Sequence, residues 1–198
     1  MMSRLIELFP KCIYIKDNVC SDYLNKFEDK INELRENTIR SPILNVDSSH
    51  QNVDNLHQLE TFNILNDQIL MSVKEYMIEY GYFPGRVGSA FIENMWFNTS
   101  KKGDFLFPHV HYGSFLSGAF YVKTQKENVI LFHDEEKHFY EDPVRPTRYN
   151  QTIQAFPCVA SRLIIFSSDF RHSTPPQKED GEKIVISFNV LLENKNEL

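Results

Sequence analysis

Apolar residues recur every three or four positions in the first part of the chain and then change to short alternating runs. Val19, Tyr23, Leu24, Phe27, Ile31 and Leu34 fall on one face of a helix predicted over residues 21–36. Leu59, Phe62, Leu65, Ile69, Val73, Met77 and Tyr80 keep the same period in a second helix, and Gly81 is its natural stop. Between them, residues 41–54 are rich in turn formers and read as a loop. From residue 89 onward, aromatic and β-branched runs separated by turn residues predict strands over 90–98, 106–111, 116–124, 128–132, 152–156, 163–167 and 183–192.

The last of these strands has the cleanest two-sided pattern. Ile184, Ile186, Phe188 and Val190 share one face, while Lys183, Val185, Ser187 and Asn189 share the other. Short strands behind two helices predict a mainly β, α+β architecture: an antiparallel, cupin-like jelly roll with the N-terminal helices packed on one sheet. Asp180-Gly181 supplies a turn just before the last strand. At 198 residues the chain is expected to form one domain, 1–198. Residues 1–85 would be a helical support and residues 86–198 the core.

Composition narrows the class. With 41% hydrophobic and 13% aromatic residues, the chain has enough apolar material to pack a core. A formal charge of −6 gives no footprint for phosphate backbones, so no nucleic-acid partner is expected. No run approaches the ~18 apolar residues of a spanning helix, and the N-terminal apolar run is too short for a signal peptide, so no membrane partner is expected. Cys12, Cys20 and Cys158 lack metal-type spacing and leave one thiol over in any disulfide scheme, which points to a reducing cytoplasm.

The chemistry concentrates on three histidines. His109 and His111 lie in Gly-Asp-Phe-Leu-Phe-Pro-His-Val-His-Tyr-Gly over residues 103–113, and His172 in Phe-Arg-His-Ser-Thr-Pro-Pro over 170–176. Residues i and i+2 of a strand point to one face, so this spacing presents two imidazoles to a single metal ion, with His172 the best candidate for a third. Such a set leaves the opposite side of the metal open for substrate and oxygen. On the last strand Lys183 shares a face with two hydrogen-bonding groups, Ser187 and Asn189. An ammonium inside a barrel mouth needs an anion, and a small dicarboxylate beside the metal would supply one.

Over residues 90–192 these features resemble the iron(II)- and 2-oxoglutarate-dependent dioxygenase superfamily, in its prolyl-hydroxylase-like branch. The resemblance implies a double-stranded β-helix, with a His-x-Asp pair and a distal His binding iron(II). It also implies a basic residue about ten positions after the distal His that binds the far carboxylate of 2-oxoglutarate; here ten residues separate His172 from Lys183. Ser-Gly-Ala-Phe-Tyr-Val over 117–122 is similar to the strand after the first ligands, which makes Tyr121 a candidate for cosubstrate binding beside Lys183, Ser187 and Asn189. Trp96-Phe-Asn, His109-Val-His-Tyr-Gly-Ser and Ser187-Phe-Asn look more closely like a little-characterised group of 2-oxoglutarate-iron(II) oxygenases with a His-x-His motif. That group usually carries arginine where this chain has Lys183. Three neutral imidazoles leave iron(II) its full positive charge, and lysine keeps the charge of arginine while losing its bidentate fork. The implied reaction joins O2 and 2-oxoglutarate to oxidation of a protein, peptide or small-molecule substrate, most simply a hydroxylation, with release of succinate and CO2. Oligomeric state is left open, a homodimer included.

Two rival readings have their own signatures. A cupin-type dioxygenase would not use 2-oxoglutarate; Gly103 followed by His-x-His fits the start of its motif, but the expected glutamate and the Pro-x-Gly-x-x-His context are absent. A non-catalytic jelly-roll binding module would carry the histidines as vestiges or as structural ligands, although an all-histidine structural zinc site is unusual. His111 with His172 alone is a smaller ligand set. The segment from His133 to His138 gathers ligand-type residues but reads as a solvated charged loop. His50 and His57 are expected to have no metal role, Trp96 and Phe97 to be core, with an aromatic at the barrel mouth that guides substrate as the alternative, and loops 41–54 and 137–150 to form a lid in which Arg145 or Arg148 meets an acidic or peptide substrate.

Overall fold

The computed structural model describes residues 11–40, 45–82, 88–135, 141, 143–147 and 149–193. It is built on two antiparallel sheets. In chain order the elements are β1 (Ile13–Lys16), α1 (Leu24–Glu33), β2 (Ile39–Arg40), β3 (Asp47–Ser48), α2 (Asn63–Glu79), β4 (Ala90–Ser100), β5 (Leu106–His109), β6 (Leu116–Lys123), β7 (Val129–His133), β8 (Ile153–Pro157), β9 (Leu163–Ser167), β10 (His172–Thr174) and β11 (Lys183–Leu192). The large sheet runs β1-β9-β6-β11-β4-β3-β2 and the small one β5-β10-β7-β8. This is the antiparallel jelly roll expected from the strand pattern, in the double-stranded β-helix form that the resemblance implied, with the helices on the large sheet.

The helices form because their apolar stripes have a sheet to cover. Phe27 and Ile31 of α1 and Leu65, Ile69, Val73 and Met77 of α2 are fully buried. They join Met95, Phe97, Phe120, Ile184, Ile186 and Phe188 in one core on the outer face of the large sheet. Phe27 stacks on Phe62 at 5.3 Å between ring centres and meets Phe120 edge-on at 6.0 Å. Burying each such ring contributes about 1.5–3 kcal/mol. Helix α2 stops where expected: Gly81 takes φ 86°, and the Tyr82 N–H donates to the Met77 carbonyl at 2.9 Å.

Strand β11 lies in the middle of the large sheet and sets the register of the interior. It pairs Lys183 with Ser100, Ser187 with Trp96 and Ala119, and Asn189 with Asn94 and Ser117. Its alternation is realised as read, with the apolar series under the helices and Lys183, Val185, Ser187 and Asn189 facing between the sheets. Gly118, opposite Phe188, cannot be replaced without rearrangement. A Cβ there would stand 2.2 Å from the Phe188 ring and 2.6 Å from the Ile164 carbonyl oxygen.

Several elements differ from the pattern reading. Strand β10, which carries His172, is absent from the expected set because three residues ahead of Pro175 and Pro176 are too few to show alternation. Strand β5 ends at His109, so His111 lies past it and is fixed by its N–H donating to the Ser168 carbonyl at 2.9 Å. The segment read as a loop over 41–54 contains β3, which pairs with β4. The first predicted helix is an α-helix of ten residues flanked by 3-10 turns. Strand β1 adds an edge to β9, where four residues gave too little signal.

Candidate active site

The histidines that are far apart in sequence meet between the sheets. Strand β10 lies between β5 and β7, and its register sets His172 directly across from His109. Ring centres are 4.3 Å apart for His109 and His172, 5.2 Å for His111 and His172, and 5.3 Å for His109 and His111. One ring nitrogen from each lies within 4.8 Å of the other two, and no carboxylate or thiol belongs to the group among the described residues.

The outward nitrogens of two rings are already committed. His109 Nδ1 donates to the Phe107 carbonyl at 2.7 Å and His172 Nδ1 to the Phe170 carbonyl at 2.9 Å. A carbonyl only accepts, so both rings carry their proton on Nδ1, and Nε2 keeps a free lone pair. Burial keeps all three imidazoles neutral: it pushes His172 down to about 3 and His111 to about 4, and lowers His109 as well. Repulsion among the rings adds to this, while a hydrogen bond with the Asn189 side chain works against it at His111. Neutral imidazoles with exposed lone pairs are what a metal ion requires.

A pH dependence follows for the metal-free protein. Below pH ~6.5 the unfolded chain takes up protons on His111 and His172 that the folded chain refuses, so stability falls as pH drops from 6.5 toward 4. For His172, 7% exposed, the loss is about 1.4 kcal/mol per pH unit, or roughly 2 kcal/mol at pH 5. Urea midpoints of chelator-treated protein at pH 7.5 and 5.0 test this. Equal midpoints would refute it.

Lys183 lies in the same cavity, which encloses about 440 Å³. It is 7% exposed, and burial lowers its pKa, with Cys158 and Asp104 opposing the shift from a distance. No side chain within hydrogen-bonding reach neutralises it among the described contacts. Ser100 Oγ, on the residue paired with Lys183, and Asn98 Oδ1 are buried without a partner and line the same space. Tyr121 is 2% exposed beside them, its hydroxyl pushed to high pKa by burial and by contact with Cys158. A buried ammonium and unfilled polar atoms around one cavity fit an anionic ligand.

Residues 94–189, which hold every one of these side chains, match the family described as "Putative 2OG-Fe(II) oxygenase". Over that segment the chain carries the sequence pattern of the 2-oxoglutarate–iron(II) oxygenases. Among solved structures it is similar to HygX from Streptomyces hygroscopicus with nickel, 2-oxoglutarate and hygromycin B bound, at 11% identity over 93% of this chain and 84% of that one, TM-score 0.66. A Pseudomonas putida prolyl-4-hydroxylase is 11% identical over 93% of this chain and 94% of its own, TM-score 0.64. The viral collagen prolyl hydroxylase of Paramecium Bursaria Chlorella virus-1 is 12% identical over 90% and 94%, TM-score 0.58. No curated protein matches the chain by sequence.

For an oxygenase that uses iron(II), 2-oxoglutarate and O2, the cavity divides into parts with different lining. Ser187 accepts a hydrogen bond from Asn98 Nδ2 at 3.1 Å. Asn189 is held deeper in a polar chain: Ser117 Oγ donates to its Oδ1 at 2.7 Å, and its Nδ2 donates to Asn94 Oδ1 at 2.9 Å. Both line the cavity, as the strand pattern implied. Phe97 is core as read, whereas Trp96 faces the cavity, 6% exposed, with its ring 5.9 Å from that of His111. His50, expected only to have no metal role, is not part of the three-histidine group, and it packs on Trp96 at 4.3 Å and lines the cavity with it. Nothing in its spacing signalled this, because β3 brings it there from outside the matched segment. His133 is outside the cluster, its Nε2 bonded to Ser173 Oγ at 2.8 Å, and His57 does not line the cavity. Arg145 is exposed and does not line it either; His138 and Arg148 fall outside the described residues.

Proposed function

We propose that His109, His111 and His172 hold the iron(II), that Lys183 receives the C5 carboxylate of 2-oxoglutarate with Tyr121 beside it, and that the enzyme is a hydroxylase. The observation that carries this reading is the presence, in one cavity, of three neutral imidazoles and an unpaired buried ammonium. Bound there, iron(II) would supply the oxidising chemistry, coupled to decarboxylation of 2-oxoglutarate to succinate and CO2. The chain's own part is to present lone pairs at fixed angles, orient the cosubstrate through its far carboxylate, and limit water to the open side. Ser187 and Asn189 would border the cosubstrate without contributing charge. The substrate is a small molecule or a protein or peptide side chain, a range suggested by the hygromycin B bound to HygX and by the name of the viral collagen prolyl hydroxylase.

We place the enzyme in the cytoplasm, because Cys12, Cys20 and Cys158 lack metal-type spacing and leave one thiol over in any disulfide scheme. No helix among the described residues is long and apolar enough to cross a membrane. We further treat 1–198 as one domain, in which residues 1–85 support the catalytic core 86–198.

The test is succinate release. With iron(II) and O2, the protein is expected to convert 2-oxoglutarate to succinate, and with its substrate to yield a product heavier by one oxygen atom that derives from O2. Oxidation of substrate without any need for 2-oxoglutarate would favour the cupin-type alternative instead.

A further inference from the structure

Strand β4 breaks its own alternation at one point, and the break turns an exposed carboxylate to the lining of the cavity. Asn94, Trp96, Asn98 and Ser100 face inward at every second position. Ile92 is the next residue in that series. The ladder with β11 instead pairs Asn94 with Asn189 and then Ile92 with Val190, leaving Glu93 as the extra residue. A bulge of this kind re-aims the side chains beyond it. Ile92 joins the core under the helices, 8% exposed, and Glu93 lines the cavity. Its Oε2 accepts a hydrogen bond from Ser114 Oγ at 3.2 Å.

Histidines aside, Glu93 and Lys183 are the two charged side chains that line the cavity among the described residues. They mark its opposite ends. From Lys183 to Asn189, next to Glu93, is roughly 20 Å along β11. His111 lies toward the Glu93 end, against Trp96 and the Asn189 side chain. A cosubstrate stretched from Lys183 to the histidines therefore leaves the Glu93 half free.

We infer that the substrate carries a protonated amine or a guanidinium that Glu93 receives, with its hydrocarbon part against Trp96 and the carbon to be oxidised beside the histidines. This rests on the ligand and cosubstrate placement proposed above. A carboxylate receiving such a group makes a charge-assisted hydrogen bond. The same carboxylate, with the 2-oxoglutarate dianion close by, disfavours anionic substrates. Trp96 offers an aromatic face to a cation, and the net charge of −6 draws cations to the surface.

Trp96 is the chain's single tryptophan, so its fluorescence reports on the cavity directly. The experiment titrates protein loaded with nickel(II) and 2-oxoglutarate with N-acetyl-lysine amide and N-acetyl-arginine amide. N-acetyl-norleucine amide serves as the uncharged control, and 1,5-diaminopentane compares a free amine with a side chain on a peptide backbone. The cationic probes are expected to bind at least about tenfold tighter than the norleucine amide, and Glu93→Gln to erase that preference. Absence of a cation preference in the wild type, or its survival in Glu93→Gln, overturns the inference. The underlying placement is checked apart from this, by the 2-oxoglutarate-dependent charge-transfer band of the iron(II)-loaded wild type. Without that band the placement itself fails; with the band but no cation preference, the inference alone fails.

Discussion

Replacing His172 by alanine is expected to weaken iron(II) binding by more than about a hundredfold and to abolish 2-oxoglutarate turnover. Loss of a mere outer partner of a metal ligand costs about 10- to 100-fold in affinity, so loss of a ligand costs more. His172 is the most buried of the three rings, and its strand joins β5 to β7, so it has the least freedom to be replaced by a neighbour. The fold is expected to survive, because the side chain removed is a polar ring that burial already disfavours in its charged form. Isothermal titration with iron(II) under anaerobic conditions, beside a urea midpoint, separates the two effects. His111→Asp is the informative companion. It would place the more usual carboxylate beside two histidines, and is expected to keep iron while lowering the stability of the metal-free protein, where the carboxylate has no cation to face. Equal iron affinity in wild type and His172→Ala would remove His172 from the ligand set.

The sequence shows this site unevenly, for physical reasons that differ from residue to residue. Strand β11 is legible because its two faces meet different surroundings, a packed helical core and a polar cavity, and ten residues are enough to display the period. Met95, Trp96 and Phe97 are three apolar residues in a row, so alternation cannot say which of them turns inward. The ladder decides it: Trp96 faces the cavity, and its neighbours face the helices. Glu93 was hidden for the opposite reason, since a strict period of two assigns it to the wrong face and only the bulge with β11 corrects this. His50 enters through a tertiary contact with Trp96, from a short segment whose local composition is that of a turn. The orphaned Ser100 Oγ and Asn98 Oδ1 are legible only once Lys183 is seen across from Ser100.

Lys183→Met is expected to move function and stability in opposite directions. Truncating one partner of a buried, hydrogen-bonded charge pair costs about 2–5 kcal/mol of binding. The KM for 2-oxoglutarate should therefore rise by roughly 30-fold or more, with iron(II) affinity in the absence of cosubstrate little changed. In the ligand-free protein the same ammonium is a burden. Its folded pKa lies below 10.5, so between that folded value and 10.5 the unfolded chain binds the extra proton, and stability rises with pH across that window. Below the folded value the full penalty is present. Methionine fills similar space without a charge, so the variant is expected to melt at an equal or higher temperature than the wild type at pH 7, and to lose the alkaline gain in stability. Adding 2-oxoglutarate should raise the melting temperature of the wild type and leave that of the variant nearly unchanged. A destabilised variant that still binds 2-oxoglutarate tightly would mean that Lys183 serves the fold rather than the cosubstrate.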